Sequence, residues 1–131
     1  MEQCVVIRYL SGTKGSTVEK IPIAGRKELI AGRAPSCEIR YEMDGDDLVS
    51  RRHMKIEIAG AGEPEFRAID LGSRNGTYIN KRRIKEPSKL RAGDVVQLGT
   101  GGPEFVFDLD PRSPKKRLKR RKPQRITSLP N

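Results

Sequence analysis

The stretch "LVSRRHMKIEI" carries the single histidine of the chain, His53, three residues after Ser50, with Arg51 and Arg52 between them. A second polar knot, "DLGSRNGTYIN", sets Ser73, Arg74, Asn75 and Gly76 in a row further along. Two chemistries compete for such residues. Serine beside histidine is the raw material of a hydrolase, provided the base lies within hydrogen-bond reach and a third group orients it. Serine beside arginines is instead a donor set for an anion, because a guanidinium offers a fixed fork of charge-assisted hydrogen bonds that matches a phosphate.

The hydrolase reading lacks its usual surroundings. The serine does not lie in a G-x-S-x-G turn, and the Ser50–His53 spacing suits a turn entering a strand. A metal centre lacks ligands, since one histidine and scattered carboxylates do not make a set. The acidic run "MDGDD" lacks the regular spacing and terminal glutamate of a calcium loop and reads as a solvated turn. In "SGTKGST" the lysine precedes the second glycine, the reverse of a phosphate loop. No catalytic residue, metal, cofactor or small-molecule substrate is expected.

The elements that must position these residues are strands. Short β-branched or alternating runs recur through the first 110 residues: "CVVIRYL", "TVEKIPI", "ELIAG", "CEIRY", "HMKIEIA", "EFRAIDL", "TYIN", "RRI", "DVVQLG" and "EFVFDLD". Gly-, Asn- and Asp-rich turns separate them, among them "RAPS", "EMDGDD", "GSRNG" and "EPSKLRAGD". Many short strands punctuated in this way predict an all-β sandwich or barrel. In "HMKIEIA", Met54, Ile56 and Ile58 alternate with Lys55 and Glu57, which marks a strand with one wet face. No segment has helical periodicity. Asn80 and Lys81 are expected to form a hairpin turn, and Ser73 and Thr77 to bond within their own loop.

Charge divides the chain in two. Of 27 Lys/Arg and 17 Asp/Glu, nine basic residues and no acid lie in 111–131, leaving 18 against 17 in the rest. The folded part, 1–110, is thus nearly neutral, and the basic character belongs to "PRSPKKRLKRRKPQRITSLPN". With four prolines and three aliphatic residues, that tail is expected to be disordered, since it cannot bury enough to offset its ordering entropy. It reads as a binder of nucleic acid or anionic lipid, as a nuclear address or as a linker. Cys4 and Cys37 form no CxxC pair and read as buried free thiols of a reducing compartment. With no signal peptide and no apolar run near the roughly 18 residues of a membrane span, an intracellular protein is expected.

The anion reading gathers three segments. Gly32-Arg33 ends one strand, with the glycine permitting close backbone approach. Ser50-Arg51-Arg52-His53 opens the next loop, and Ser73-Arg74-Asn75-Gly76 fills a third. Loops of a β-sandwich commonly converge at one end to bind. Gly32-Arg33, then Ser50-x-x-His53, then Asn75-Gly76, followed by "LRAGDVVQLG", closely resembles the forkhead-associated (FHA) domain over residues 3 to 110. The resemblance implies a sandwich of about eleven mostly antiparallel strands that binds phosphothreonine in partner proteins. It further implies that Arg33 and Ser50 contact the phosphate and that Asn75 holds the peptide main chain. By the same resemblance Arg51 and Arg74 contact phosphate or peptide, and Gly32, His53 and Gly76 hold the loops in shape. Thr127 of the tail, if phosphorylated, is a conceivable ligand in the same chain or a second copy. The competing reading is a nucleic-acid or anionic-surface binder acting through the tail.

Overall fold

The computed structural model of the chain describes residues 3–60 and 63–111. The basic tail and Thr127 therefore lie outside the described residues. Among those described, eleven strands and no helix are present: β1 (Cys4–Tyr9), β2 (Val18–Pro22), β3 (Glu28–Gly32), β4 (Ile39–Arg40), β5 (Met54–Ala59), β6 (Glu65–Asp70), β7 (Thr77–Ile79), β8 (Arg82–Arg83), β9 (Ser88–Leu90), β10 (Val95–Leu98) and β11 (Glu104–Asp110). They form a six-stranded sheet in the order β2-β1-β11-β10-β7-β8 and a five-stranded sheet in the order β4-β3-β5-β6-β9. Every pairing is antiparallel except β3 with β4, where Ala31 faces Ile39 and Gly32 faces Arg40.

The period-two patterns explain the sandwich. Val5, Ile7 and Tyr9 of β1 join Phe105 and Phe107 of β11 on the inner face of one sheet, all essentially buried. Leu29 and Ala31 of β3, Met54 and Ile56 of β5, and Phe66 and Ala68 of β6 line the facing sheet. Burying such side chains contributes roughly 1.5–3 kcal/mol each for the larger ones. Without tryptophan, edge-to-face pairs fill the middle: Phe66 on Phe107 at 5.1 Å, and Tyr9 on Tyr41 at 5.5 Å. The expected alternation of β5 holds, with Met54 and Ile56 buried and Lys55 paired outside to Glu28.

Two local expectations need correction. "EPSKLRAGD" is not turn throughout, because Ser88–Leu90 forms β9 on the edge of the second sheet. Leu90 is buried there, and this single apolar residue was too little for a periodic signal. The acidic turn is not wholly solvated either. Asp46 is 3 % exposed and accepts hydrogen bonds from the Thr13 amide and hydroxyl at 3.1 and 2.7 Å and from the Glu42 amide at 2.9 Å. The hairpin turn between β7 and β8 is as expected, with Asn80 and Lys81 at φ 50° and 73°, the pair of positive values a type I′ turn demands. Cys37 is buried and Cys4 half-buried, and both are free thiols.

Candidate phosphopeptide site

The loops that follow β3, β4 and β6 meet at one end of the sandwich, and hydrogen bonds between them fix how. Gly32 makes the first junction possible. A Cβ built on it would lie 2.2 Å from the Arg51 carbonyl oxygen, closer than any side chain tolerates, so the 50–52 turn rests directly on the bare backbone. The Arg33 amide then donates to the Ser50 carbonyl at 3.1 Å, and the Ala34 amide to that of Arg51 at 2.9 Å. The Arg33 guanidinium donates through Nε to the Val49 carbonyl and through Nη1 to that of Met43 at 2.9 Å. Two of its donor positions are thereby spent in fixing the plane, and the Nη2 edge stays uncommitted among the described residues.

His53 braces the second junction. It is fully buried; its Nδ1 accepts from the Ser50 amide at 3.0 Å and its Nε2 lies 2.7 Å from the Gly76 carbonyl. Because an amide can only donate, Nδ1 is the unprotonated nitrogen and Nε2 carries the hydrogen. The neutral ring joins two loops 23 residues apart. Burial pushes its pKa below the usual histidine value, against the opposing pulls of the Gly76 carbonyl and Asp70. The Ser50 hydroxyl does not face this ring as a nucleophile faces its base. It is the Ser50 amide that meets His53, while Oγ accepts the Arg74 amide at 3.1 Å.

Asn75 lies in the same loop end, its Nδ2 donating to the Leu48 carbonyl at 3.0 Å, and its amide oxygen accepts no hydrogen bond among the described residues. Gly76 takes φ +88°, a left-handed value that favours glycine, and its amide donates to Ser73 Oγ at 2.9 Å. Arg51 and Arg74 are exposed and make no side-chain hydrogen bond or ion pair among the described residues. Arg52 is exposed as well. All eight residues singled out in the sequence therefore belong to one loop end.

Sequence reasoning passed over the residue that shapes the third loop, Asp70. Its Oδ1 accepts the Ser73 and Thr77 hydroxyls, both at 2.6 Å, and its Oδ2 accepts the Gly72 and Ser73 amides, both at 3.0 Å. Partial burial raises the carboxyl's pKa, but the Ser73 and Thr77 hydroxyls and the two amides outweigh it and hold the group below its ordinary value. The signal was available, because Asp followed by Leu-Gly-Ser is the pattern of an Asx turn.

The FHA domain family model matches residues 29–99. Among curated proteins, the glycogen accumulation regulator GarA of Mycolicibacterium smegmatis is 37 % identical over 109 residues, covering 79 % of this chain and 63 % of its own. An oxoglutarate dehydrogenase inhibitor of Corynebacterium efficiens is 37 % identical over 95 residues, covering 68 % and 62 %. The chain thus spans somewhat less than two thirds of the length of these relatives. Among solved structures, the FHA domain of the CT664 protein from Chlamydia trachomatis is 28 % identical with a TM-score of 0.65, covering 80 % of this chain and 96 % of that one. The FhaA FHA domain, solved in complex with the intracellular domain of Rv3910, is 25 % identical with a TM-score of 0.59, covering 79 % and 98 %. A family match across more than half of the chain, over the loops just described, places this protein in the FHA domain family.

Proposed function

We propose that the chain is a non-catalytic module that binds phosphothreonine in partner proteins through the loop end carrying Arg33, Ser50 and Asn75, and that it regulates those partners by being bound to them. The observation that supports the reading is the joining of three loops that carry donors uncommitted among the described residues. The Ser50 hydroxyl hydrogen, the open edge of Arg33 and the unpaired guanidiniums of Arg51 and Arg74 belong to loops stitched together by backbone hydrogen bonds. Such a set suits the three oxygens of a phosphate, and its rigidity lowers the ordering penalty of binding. In this reading Arg33 and Ser50 bind the phosphate, and Arg51 and Arg74 add to it or to the peptide. Asn75 accepts from the ligand main chain through its free amide oxygen. Gly32, His53 and Gly76 support the loops. The relatives' own names, a regulator and an enzyme inhibitor, support a regulatory use, and one solved FHA structure concerns phosphothreonine-dependent interactions.

The test is a phosphothreonine peptide library screened against the chain, followed by titration of the best peptide. Each charge-assisted hydrogen bond contributes on the order of 1.5–3 kcal/mol, so Arg33→Ala is expected to weaken binding at least about tenfold and Ser50→Ala somewhat less. The matching phosphoserine peptide is expected to bind several-fold more weakly, a buried methyl being worth about 0.8 kcal/mol. A folded Arg33→Ala protein that binds like the wild type would refute the assignment.

A further inference from the structure

We infer that Asp46 is a positioning residue for phosphate recognition: anchored to Thr13 of the β1–β2 loop, it sets the fork of Arg33 without touching the ligand. The inference rests on the phosphopeptide reading above. It starts from what holds Arg33. The carbonyls that accept from the guanidinium, those of Met43 and Val49, both lie in 42–49, a segment with no strand. The Leu48 carbonyl of the same segment accepts from Asn75. The aim of both side chains is therefore only as definite as the path of this segment. Six of its eight residues are exposed, so their side chains cannot fix that path by packing; only Val49, in the core, and Asp46 are buried.

Asp46 ties the segment down at both ends. Its carboxylate accepts the Glu42 amide at 2.9 Å, one residue before Met43, and its own carbonyl accepts the Val49 amide at 3.0 Å. The anchor outside the segment is Thr13, whose amide reaches Oδ1 at 3.1 Å and whose hydroxyl reaches Oδ2 at 2.7 Å. Two glycines leave room for this contact. A Cβ built on Gly12 would lie 3.0 Å from Asp46 Oδ1, and one built on Gly45 would lie 2.8 Å from Thr13 Cγ2. The loop that carries Thr13 is itself firm. The Ser16 amide donates to the Tyr9 carbonyl at 2.8 Å, the Gly15 amide donates to that of Gly12 at 3.1 Å, and the Lys14 ammonium lies 5.0 Å from the centre of the Tyr9 ring. The chemistry calls for a carboxylate. Two amides and a hydroxyl converge on Asp46, and among the described residues no cation is within ion-pair distance of it. An asparagine would turn an NH2 toward one of those donors. The runs "SGTKGST" and "MDGDD", read in the sequence as neither phosphate loop nor calcium loop, thus meet as one tether behind the phosphate donors.

The experiment uses the intact chain and two readouts, titration with the best phosphothreonine peptide of the library screen and solvent exchange of the Arg33 Nε proton followed by NMR in the free protein. Thr13→Val is the main variant, because it removes one hydrogen bond and leaves the carboxylate in place; Asp46→Asn is the stronger one. Thr13→Val is expected to weaken peptide binding about fivefold, a typical coupling between residues of one network, and to speed exchange of the Arg33 Nε proton. Thr13→Ser, which keeps the hydroxyl, should stay within about twofold of the wild type. In an Arg33→Ala background the added loss from Thr13→Val should be smaller than in the wild type, since the tether then has less to position. The proposal falls if Thr13→Val lowers only the melting temperature and leaves affinity and exchange unchanged. It falls equally if the added loss is the same with and without Arg33. Failure of the wild type to bind any phosphothreonine peptide would overturn the phosphopeptide reading, and exchange of the Arg33 Nε proton would still decide whether Asp46 positions that side chain.

Discussion

At the scale of single residues, His53 and Tyr41 show that a buried polar group is judged by its partners. His53 works only as a neutral ring, because Nδ1 must accept from Ser50 while Nε2 donates to Gly76. Its folded pKa is below the usual 6.5, so in the window beneath 6.5 the unfolded chain takes up a proton that the folded chain refuses. Stability is therefore full above about pH 6.5 and falls as pH drops from there toward the folded value. Denaturant titrations at stepped pH are expected to show this fall, and a His53→Ala chain should be less stable throughout and lack that part of the slope. An unchanged slope would mean that His53 is not the titrating brace. Tyr41 is the opposite case, fully buried with a hydroxyl that has no hydrogen-bond partner among the described residues. Tyr41→Phe should leave stability unchanged or raise it by about 1 kcal/mol, since an unpaired buried hydroxyl carries its desolvation penalty; a clear loss would reveal a hidden partner. Ser50, His53 and Asn75 stood out in the sequence as a set, through the order of Gly32-Arg33, Ser50-x-x-His53 and Asn75-Gly76 that the family shares, since each alone is a weak signal. The brace itself was legible only through family resemblance, as neither its tautomer nor its partners are written in local spacing.

At the scale of elements, the loops are held by close approaches and by carboxylates rather than by their own propensity. Gly32→Ala would drive a methyl into the Arg51 carbonyl at 2.2 Å, which forces either β3 or the 50–52 turn to move. A loss of about 1–3 kcal/mol, typical of overpacking, is expected in thermal or chemical melts, together with weaker phosphopeptide binding; a neutral result would show that the turn relaxes freely. Asp70→Ala removes the acceptor of four hydrogen bonds, and the expected loss exceeds about 2 kcal/mol. Because the folded state lowers the pKa of Asp70, its contribution is present above about pH 3.8 and disappears as pH falls through the folded value. The variant should therefore show a shallower acid limb. The strands themselves were legible from β-branched or alternating runs of four or more residues, as in β1, β5, β6 and β11. β9 was not, since one inward leucine has no period. Asp46 was missed for another reason: its main partner, Thr13, is 33 residues away, and sequence spacing says nothing of such a contact.

At the scale of the whole molecule, the near neutrality of 1–110 and the nine basic residues of 111–131 separate two behaviours. Ending the chain after Asp110 is expected to leave the melting temperature and phosphothreonine binding essentially unchanged, and to remove any retention on polyanions. That retention should decline steeply with salt, log affinity falling by about 0.9 per neutralised DNA phosphate for each unit of log salt. Loss of peptide binding on truncation would move the boundary of the folded unit beyond Asp110. The sheet order bears on how such a unit joins other chains. β1 and β11 are neighbours, and Cys4 stands opposite Asp110, a separation of roughly 5 Å between antiparallel partners. Both lie at the end of the strands away from Tyr9 and Phe105, whereas the Thr13–Asp46 tether ties the loop that follows Tyr9 to the loop carrying Ser50. Cys4 and Asp110 therefore stand side by side, at the end of the strands away from the loop that carries Ser50. A unit with that geometry can be spliced into a tight turn of a host protein, like a bead threaded through one hole, with the loop that carries Ser50 at the far end.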